Sequence, residues 1–328
     1  MPIIKLKNLT KKFGRFTAVD GISFEINEGE IFGFLGPNGA GKTTTISMLA
    51  TILAPTDGTA EINGFDIIKE KHNVRNSIGI VFQDPSLDDE LTACENLVFH
   101  AVMYNLKKDA IEKRILESLE LVDLEKRKND LVKTFSGGMK RRLEIARGLM
   151  HHPKILFLDE PTVGLDPQTR SHIWEYVRKL NKDEKITILL TTHYMEEAEK
   201  LADRIAIIDN GKIIAIDAPQ NLKALLGGDV ISFSSSDSKK LSNEFAKIKW
   251  IKKIVVHDGY IDVNVSKAEE QMPMLLRTIN KSRIELQSIA VHKPSLEDVF
   301  LSLTGKTIRE EEASIKDSMR LQRRMWGR

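Results

Sequence analysis

The sequence predicts an α/β fold with a smaller α+β unit appended, and three observations carry that expectation. A glycine-rich octapeptide, Gly36 to Thr43, stands between a short apolar strand-like run and a helix-compatible run. Two apolar runs, Ile155 to Leu158 without a break and Ile186 to Leu190 interrupted at Thr187, have the pattern of strands covered on both faces. Beyond Pro219 the rhythm changes to short elements in the order β-α-β-β-α-β, a split βαβ, ferredoxin-like arrangement.

Composition agrees with this and sets limits. Of 328 residues, 41% are hydrophobic and 29% charged, a globular balance that excludes disordered and collagen-like chains. The longest uncharged apolar stretch, Ile46 to Pro55, reaches about half of what a bilayer-spanning helix needs. Lys5 and Lys7 lie inside the N-terminal apolar run rather than before it, unlike a secretory signal. The single cysteine, Cys94, fits a reducing cytosol. A net charge of +2 supplies no bulk attraction to polyanions, so no nucleic-acid partner is expected.

The elements follow in order. Ile3 to Leu9 and Val19 to Ile26 alternate apolar and polar residues, as an antiparallel flap would. Glu30 to Leu35 reads as a strand, and Thr43 to Leu53 as a helix ended by Pro55. From Leu91 to His152 the pattern is helical. Thr92 and Glu95 form a capping box, and further helical runs span Ala110 to Leu121 and Met139 to His151, an α-rich subdomain (about 90–152) inserted into the core. Met195 to Leu201 is a helix, and Ile205 to Ile208 with Ile213 to Ile216 form a hairpin about Asn210-Gly211. The first domain is expected to close near residue 218. The second, 219–304, comprises strands Val230 to Phe233, Ile254 to His257, Tyr260 to Val265 and Ile284 to Val291. Its helices are Lys239 to Lys247, Lys267 to Lys281 and Leu296 to Leu303, with a hairpin about Asp258-Gly259. The charged tail 305–328 reads as solvated helix or disorder, and its basic end with Trp326 as a candidate membrane-surface contact.

Two motifs carry chemistry. Gly36-Pro37-Asn38-Gly39-Ala40-Gly41-Lys42-Thr43 fits G-x-x-x-x-G-K-[ST] in the strand–loop–helix context that motif demands. Glycines let backbone N–H groups converge on phosphate oxygens, and the helix start adds its positive end. Lys42 would reach the β- and γ-phosphates and the Thr43 hydroxyl would coordinate Mg²⁺; the nucleotide-binding set continues through Thr44. Asp159 and Glu160 end the buried strand at the edge where α/β sheets bind ligands. Asp159 is assigned to Mg²⁺ and Glu160 to the attacking water as general base, with Pro161 expected to hold Glu160 extended. Lys140, Arg141 and Arg142 read as a solvated charge run.

Thr134-Phe135-Ser136-Gly137-Gly138-Met139-Lys140 resembles the signature of ABC-type ATPases. Together with the phosphate loop, Gln83, Leu158 to Thr162, Gly164-Leu165-Asp166 and Thr192-His193, the chain carries that family's motifs in order from about Ile3 to Pro219. The fold expected is therefore a P-loop NTPase of the ABC ATPase type, with antiparallel β flap, inserted helical subdomain and ferredoxin-like C-terminal domain. The resemblance implies that Phe13 stacks on adenine, Gln83 joins the Mg²⁺ and water shell, and His193 contacts the γ-phosphate. It also implies that Ser136, Gly137 and Gly138 complete the site of a second copy in a head-to-tail homodimer, and it places Asp166 among the nucleotide-binding residues. Phe135, Met139 and Phe13 depart from the family consensus, where leucine, glutamine and tyrosine are commoner.

The C-terminal Lys293-Pro294-Ser295-Leu296-Glu297-Asp298-Val299-Phe300-Leu301 with Leu303-Thr304-Gly305 resembles the ending of daunorubicin-resistance-type exporter ATPases, whose partners are ABC-2-type membrane permeases. That implies an ATPase with ATP and Mg²⁺ as cofactors, a cytoplasmic position at the inner membrane face through the permease, and efflux of drug or lipid-like substrates. A soluble ABC ATPase of translation or DNA repair is the alternative. A plain P-loop phosphotransferase is opposed by Ser136-Gly137-Gly138.

Overall fold

The computed structural model describes residues 1–305 apart from Ser236, Asp258 and Arg283. The readings placed on the tail 306–328 and on Asp258 lie outside the described residues. The chain divides into two compact units, Met1–Ile216 and a second that begins at Asp217.

The first unit opens with β1 (Pro2–Phe13), β2 (Phe16–Asn27), β3 (Ile31–Leu35) and α1 (Lys42–Leu49). It continues through β4 (Asp57–Ile62), β5 (Phe65–Asp66), α2 (Lys71–Ser77) and β6 (Ile78–Val81). The helical subdomain is α3 (Ala93–Met103), α4 (Lys108–Leu121) and α5 (Gly137–Leu149). Then come β7 (Ile155–Asp159), α6 (Pro167–Glu184), β8 (Thr187–Thr192), α7 (Met195–Leu201), β9 (Arg204–Asp209) and β10 (Lys212–Asp217).

The flap is larger than its sequence pattern suggests. It has four strands in the order β2-β1-β4-β5, because β4 pairs antiparallel with β1, Ile4 opposite Ile62 and Leu6 opposite Ala60. The main sheet runs β10-β9-β3-β8-β7-β6, and the pairs linking β6, β7, β8, β3 and β9 are parallel. Along β7 successive side chains enter opposite cores. Ile155 and Phe157 pack in the cluster that includes the flap residues, and Leu156 and Leu158 in the cluster that includes the helical subdomain. That is why this strand is apolar without alternation. Asn210 and Gly211 both take positive φ, 48° and 76°, as a two-residue hairpin turn requires. Helix α1 stops earlier than the apolar run implied. Thr51 turns to φ 61°, and the N–H groups of Ile52 and Leu53 both return to the Ser47 carbonyl.

In the helical subdomain, Thr92 and Glu95 complete the expected capping box on α3. Beneath it the His151 ring stacks on Tyr104 at 3.9 Å between centroids and bonds the Ile78 carbonyl through Nε2 at 2.8 Å. His100 lies 6.2 Å from His151, and burial pushes both imidazoles down to about 4. Both are therefore neutral in the folded protein, whereas an unfolded imidazole takes up its proton near 6.5. Folded stability contributed here is complete above about pH 6.5 and declines, by up to about 1.4 kcal/mol per group for each pH unit, as pH falls toward 4. Thermal unfolding at pH 7.5 and 5.5 is expected to show a lower midpoint at pH 5.5, with the loss reduced in His100→Phe. An unchanged pH dependence in that variant would show that His100 is not the group involved.

The second unit contains α8 (Pro219–Ala224), β11 (Asp229–Ser235), α9 (Ser238–Phe245), β12 (Lys253–Val256) and β13 (Tyr260–Val265). It ends with α10 (Ala268–Ser282), β14 (Leu286–His292) and α11 (Leu296–Thr304). Its antiparallel sheet has the order β12-β13-β11-β14, the arrangement of a split βαβ unit. Ile231, Phe233, Ile261, Val263 and Val265 pack with Leu241 and Phe245 of α9 and Leu275 and Ile279 of α10. Ser295 and Asp298 form a second capping box at α11, which Gly305 ends at φ 75°.

Candidate functional site

The parallel strands deliver the candidate residues to one edge of the main sheet. Val81 pairs with Leu158, Asp159 with Thr191, and Leu35 with Thr192, so the chain segments following β3, β6, β7 and β8 leave the sheet together. After β3 comes the loop Gly36 to Gly41, and α1 starts at Lys42. Gly41 holds φ 105°, and a Cβ there would meet the Ala18 carbonyl oxygen at 2.5 Å. Only glycine lets the loop pass the flap at that point.

Lys42 is 4% exposed. Its Nζ donates to the carbonyls of Gly36 at 2.7 Å and Pro37 at 3.0 Å, and lies 3.2 Å from Glu160 Oε1. The other Glu160 oxygen, Oε2, is 3.1 Å from His193 Nδ1. The Glu160 carboxylate is thus gripped from both sides. Burial alone would raise the Glu160 carboxyl, but the His193 hydrogen bond and the Lys42 charge outweigh it and hold the group below the ordinary carboxylate range. It is an anion at neutral pH.

The backbone at Glu160 departs from the sequence expectation. Pro161 does not hold it extended: Glu160 adopts φ 47°, the left-handed region. The proline excludes the right-handed helical basin, and of the conformations left the neighbours select this one. The Glu160 N–H bonds both the carbonyl and the hydroxyl of Thr191, at 3.1 and 3.0 Å, and its carbonyl accepts from Val163 N–H. A non-glycine residue in this region costs on the order of 1–3 kcal/mol, and such strain is commonly placed at functional sites.

Asp159 is 1% exposed. Its Oδ1 accepts from the Thr43 hydroxyl at 3.2 Å and from Thr191, while Oδ2 is buried with no hydrogen-bond partner. A buried carboxylate oxygen lacking a donor, beside a hydroxyl at the head of α1, suits a hard cation that would take most of its remaining ligands from phosphate and water. No group of three or more His, Cys, Asp or Glu with metal-binding geometry occurs among the described residues. The donor set therefore fits Mg²⁺ carried by a nucleotide better than a protein-caged metal.

The other predicted residues stand at other points. Phe13 is 50% exposed at the end of β1, with Lys11 Nζ 5.1 Å from its ring centroid. Gln83 is exposed two residues beyond β6. Ser136 caps α5, its hydroxyl accepting from Met139 N–H at 3.3 Å, and both it and Gly137 are exposed. Gly138 packs against α6, where a Cβ would lie 2.4 Å from Thr169 Cγ2. Asp166 caps α6, accepting from Gln168 and Thr169 N–H. Thr44 is half-buried in the first turn of α1.

The solvated charge run needs correction. Arg141 is 7% exposed, not solvated. Its guanidinium donates to the carbonyls of Asp159 (3.1 Å), Pro161 (2.8 Å) and Phe82 (2.6 Å), and to Glu144 Oε2 at 2.9 Å. One side chain thereby ties the signature helix to the carboxylate strand and to the segment bearing Gln83. Glu144 Oε1 in turn accepts from Ser86 N–H. Arg141 shares the α5 face of Gly138, Ile145 and Gly148, a three- and four-residue spacing that a charge run conceals and helical periodicity reveals. Lys140 and Arg142 are half-buried, and Lys140 pairs with Asp89 at 2.7 Å. Thr191, which positions both Asp159 and Glu160, carries no sequence signal beyond its place at a strand end.

Comparison with known proteins agrees with this geometry. Residues 19–163 match the family described as ABC transporter, and residues 218–304 match the ATP-binding protein DrrA1-3-like C-terminal domain. The linearmycin resistance ATP-binding protein LnrL of Bacillus subtilis (strain 168) is 43% identical over 94% of this chain and 100% of its own. The daunorubicin/doxorubicin resistance ATP-binding protein DrrA of Streptomyces peucetius is 38% identical over 92% of each. A solved dimeric ATP-binding cassette in a post-hydrolysis state, bound to ADP and phosphate, aligns with 66% of this chain and 98% of its own, at 31% identity and a TM-score of 0.59.

Proposed function

The chain belongs to the ATP-binding proteins of ABC transporters, the branch with a DrrA-like C-terminal domain, and from that premise we propose that it is the motor subunit of an exporter for drug or lipid-like molecules. It hydrolyses ATP in two copies. Each copy's Ser136, Gly137 and Gly138 would meet the nucleotide held by the other's phosphate loop. The observation that carries this reading is the divided site: one cluster of the buried Lys42, Asp159 and Glu160 with the half-buried His193, and a separate set of anion donors at the head of α5, where Ser136 and Gly137 are exposed.

The chemistry follows from the contacts. Thr43 and Asp159 would hold Mg²⁺, which neutralises phosphate charge when bound. Lys42, now paired with Glu160, is the group positioned to turn to the β- and γ-phosphates, and that turn frees the carboxylate. Glu160, an anion kept aligned by His193 and the Thr191 contacts, then accepts the proton of the attacking water. Phe13 offers an exposed ring for adenine, and Gln83, joined through the Phe82 carbonyl to Arg141, would report occupancy to a partner.

No described helix is long and apolar enough to cross a membrane; we assign the transport path to a separate permease of the ABC-2 type. The chain would then sit on the cytoplasmic membrane face. The alternative of an ATPase acting in translation or DNA repair draws no support from the relatives above, both named for antibiotic resistance. Purification of the chain from native membranes is expected to bring down one multispanning protein that stimulates its ATPase activity. Stimulation by ribosomes or DNA, with no such membrane protein recovered, would reject the exporter reading.

A further inference from the structure

Among the described residues, the second unit ends its sheet on a strand with no other strand beside it. β14 is the edge strand next to β11, and every residue from Gln287 to His292 is exposed. Open edges invite pairing, and proteins usually blunt them with charges, proline or short length. The opposite edge follows that practice, since β12 has only four residues and begins at the exposed Lys253. β14 does not. It is seven residues long, Leu286-Gln-Ser-Ile-Ala-Val-His292, without Lys, Arg, Asp, Glu or Pro.

Its apolar side chains are also left over from the core. Ile289 sits opposite Phe233 and Val291 opposite Ile231, so they share the face that α9 and α10 cover over β11. Phe233 and Ile231 are fully buried, whereas Ile289 is 39% and Val291 50% exposed. The helical layer stops short of the last strand.

The geometry points to a second copy of this chain as the occupant, its β14 pairing antiparallel with this one to make a continuous sheet across two C-terminal units. The strand is complementary to itself. A two-fold register centred on Ile289 puts that residue opposite its own copy. Gln287 then faces Val291 of the partner subunit, and the exposed Glu285 faces the partner subunit's Lys293; within one chain Lys293 already pairs with Asp229 at 2.8 Å while its side chain stays 87% exposed, so Glu285 would share that ammonium as a second carboxylate. Opposite charges thus close both ends of an uncharged strand. An interface this narrow is smaller than a stable dimer needs by itself. Here it adds to a pair of chains that ATP already brings together, and the high effective concentration of a tethered second contact makes a weak strand pairing sufficient. In this respect it rests on the dimeric cassette reading, and it gives the two chains a contact that need not open when the nucleotide site does.

The test uses the full chain in a Cys94→Ser background. Residues opposite one another across a two-fold axis in antiparallel strands lie close enough for a disulfide. Ile289→Cys, oxidised with copper–phenanthroline in the presence of saturating ATP, is expected to form covalent dimer at least about 10-fold faster than Lys239→Cys, an exposed control on α9. A chain carrying Gln287→Cys mixed with one carrying Val291→Cys should cross-link with each other faster than either does with itself. If Ile289→Cys is no faster than the control, the pairing is overturned, including the case in which β14 docks a strand of some other protein. Sizing of the uncross-linked chain with ATP reads cassette pairing separately: a dimer that does not cross-link at Ile289→Cys overturns the strand pairing alone, whereas a chain that stays monomeric with ATP overturns the cassette reading on which it rests.

Discussion

Glu160→Gln is expected to slow ATP hydrolysis by at least about 100-fold, because it removes the only buried carboxylate placed between Lys42 and His193 to take a proton from water. The amide keeps the size of the side chain and can still accept from His193, so ATP binding should survive. Loss of charge has a second consequence. In the nucleotide-free protein Lys42, 4% exposed, is left as a buried cation without its carboxylate, and such a group is costly. ATP restores a negative partner. The variant should therefore show a lower unfolding midpoint without nucleotide than the native chain and a larger rise on adding ATP, and with ATP it should accumulate as a dimer in sizing experiments. Ordinary turnover in Glu160→Gln would remove Glu160 from the general-base role. A purely monomeric variant at saturating ATP would remove the sandwiched-nucleotide reading.

Arg141→Ala should be the most damaging change outside the nucleotide contacts. Four acceptors lose a donor at once, three of them backbone carbonyls at or beside the candidate site residues Gln83, Asp159 and Glu160, and Glu144 is left buried at 3% exposure without its counter-charge. Removing one partner of a buried pair typically costs about 3–5 kcal/mol. The unfolding midpoint should drop by several degrees. A purely structural role predicts only that. A positioning role predicts in addition that Arg141→Lys, which retains the charge but cannot span three carbonyls with a planar fork, regains much of the stability while hydrolysis stays impaired. Full activity in Arg141→Lys would reduce Arg141 to a structural support.

Much of the site was legible in sequence because its parts are local. Gly36 to Thr43 is a contiguous loop whose function depends on backbone N–H groups and one lysine, so eight residues specify it. Asp159 and Glu160 were found because the unalternating run before them marks a strand buried on both faces. The capping boxes at Thr92 and Ser295 are likewise complete within four residues. What escaped has partners far along the chain. The flap strand β4 pairs with β1 across some fifty residues, and its Gly-Thr-Ala-Glu pattern says little by itself. Arg141 reads as one charge among three until its acceptors, 18 to 59 residues away, come into place.

The sequence by itself singled out the candidate groups for phosphate, an α/β first unit with an inserted helical subdomain, and a split βαβ unit after it. Each of those depends on periodicity or on residues within one turn, which are properties of a short segment. Only the tertiary structure decided the left-handed backbone of Glu160, the burial of Arg141 and the open edge at β14. Those depend on which donors, acceptors and strands arrive from elsewhere: Thr191 at the Glu160 N–H, the carbonyls of Phe82, Asp159 and Pro161 at the guanidinium, and, among the described residues, no strand beyond β14. A buried polar group takes its conformation from the partners that must satisfy it, and those partners are assembled by the fold.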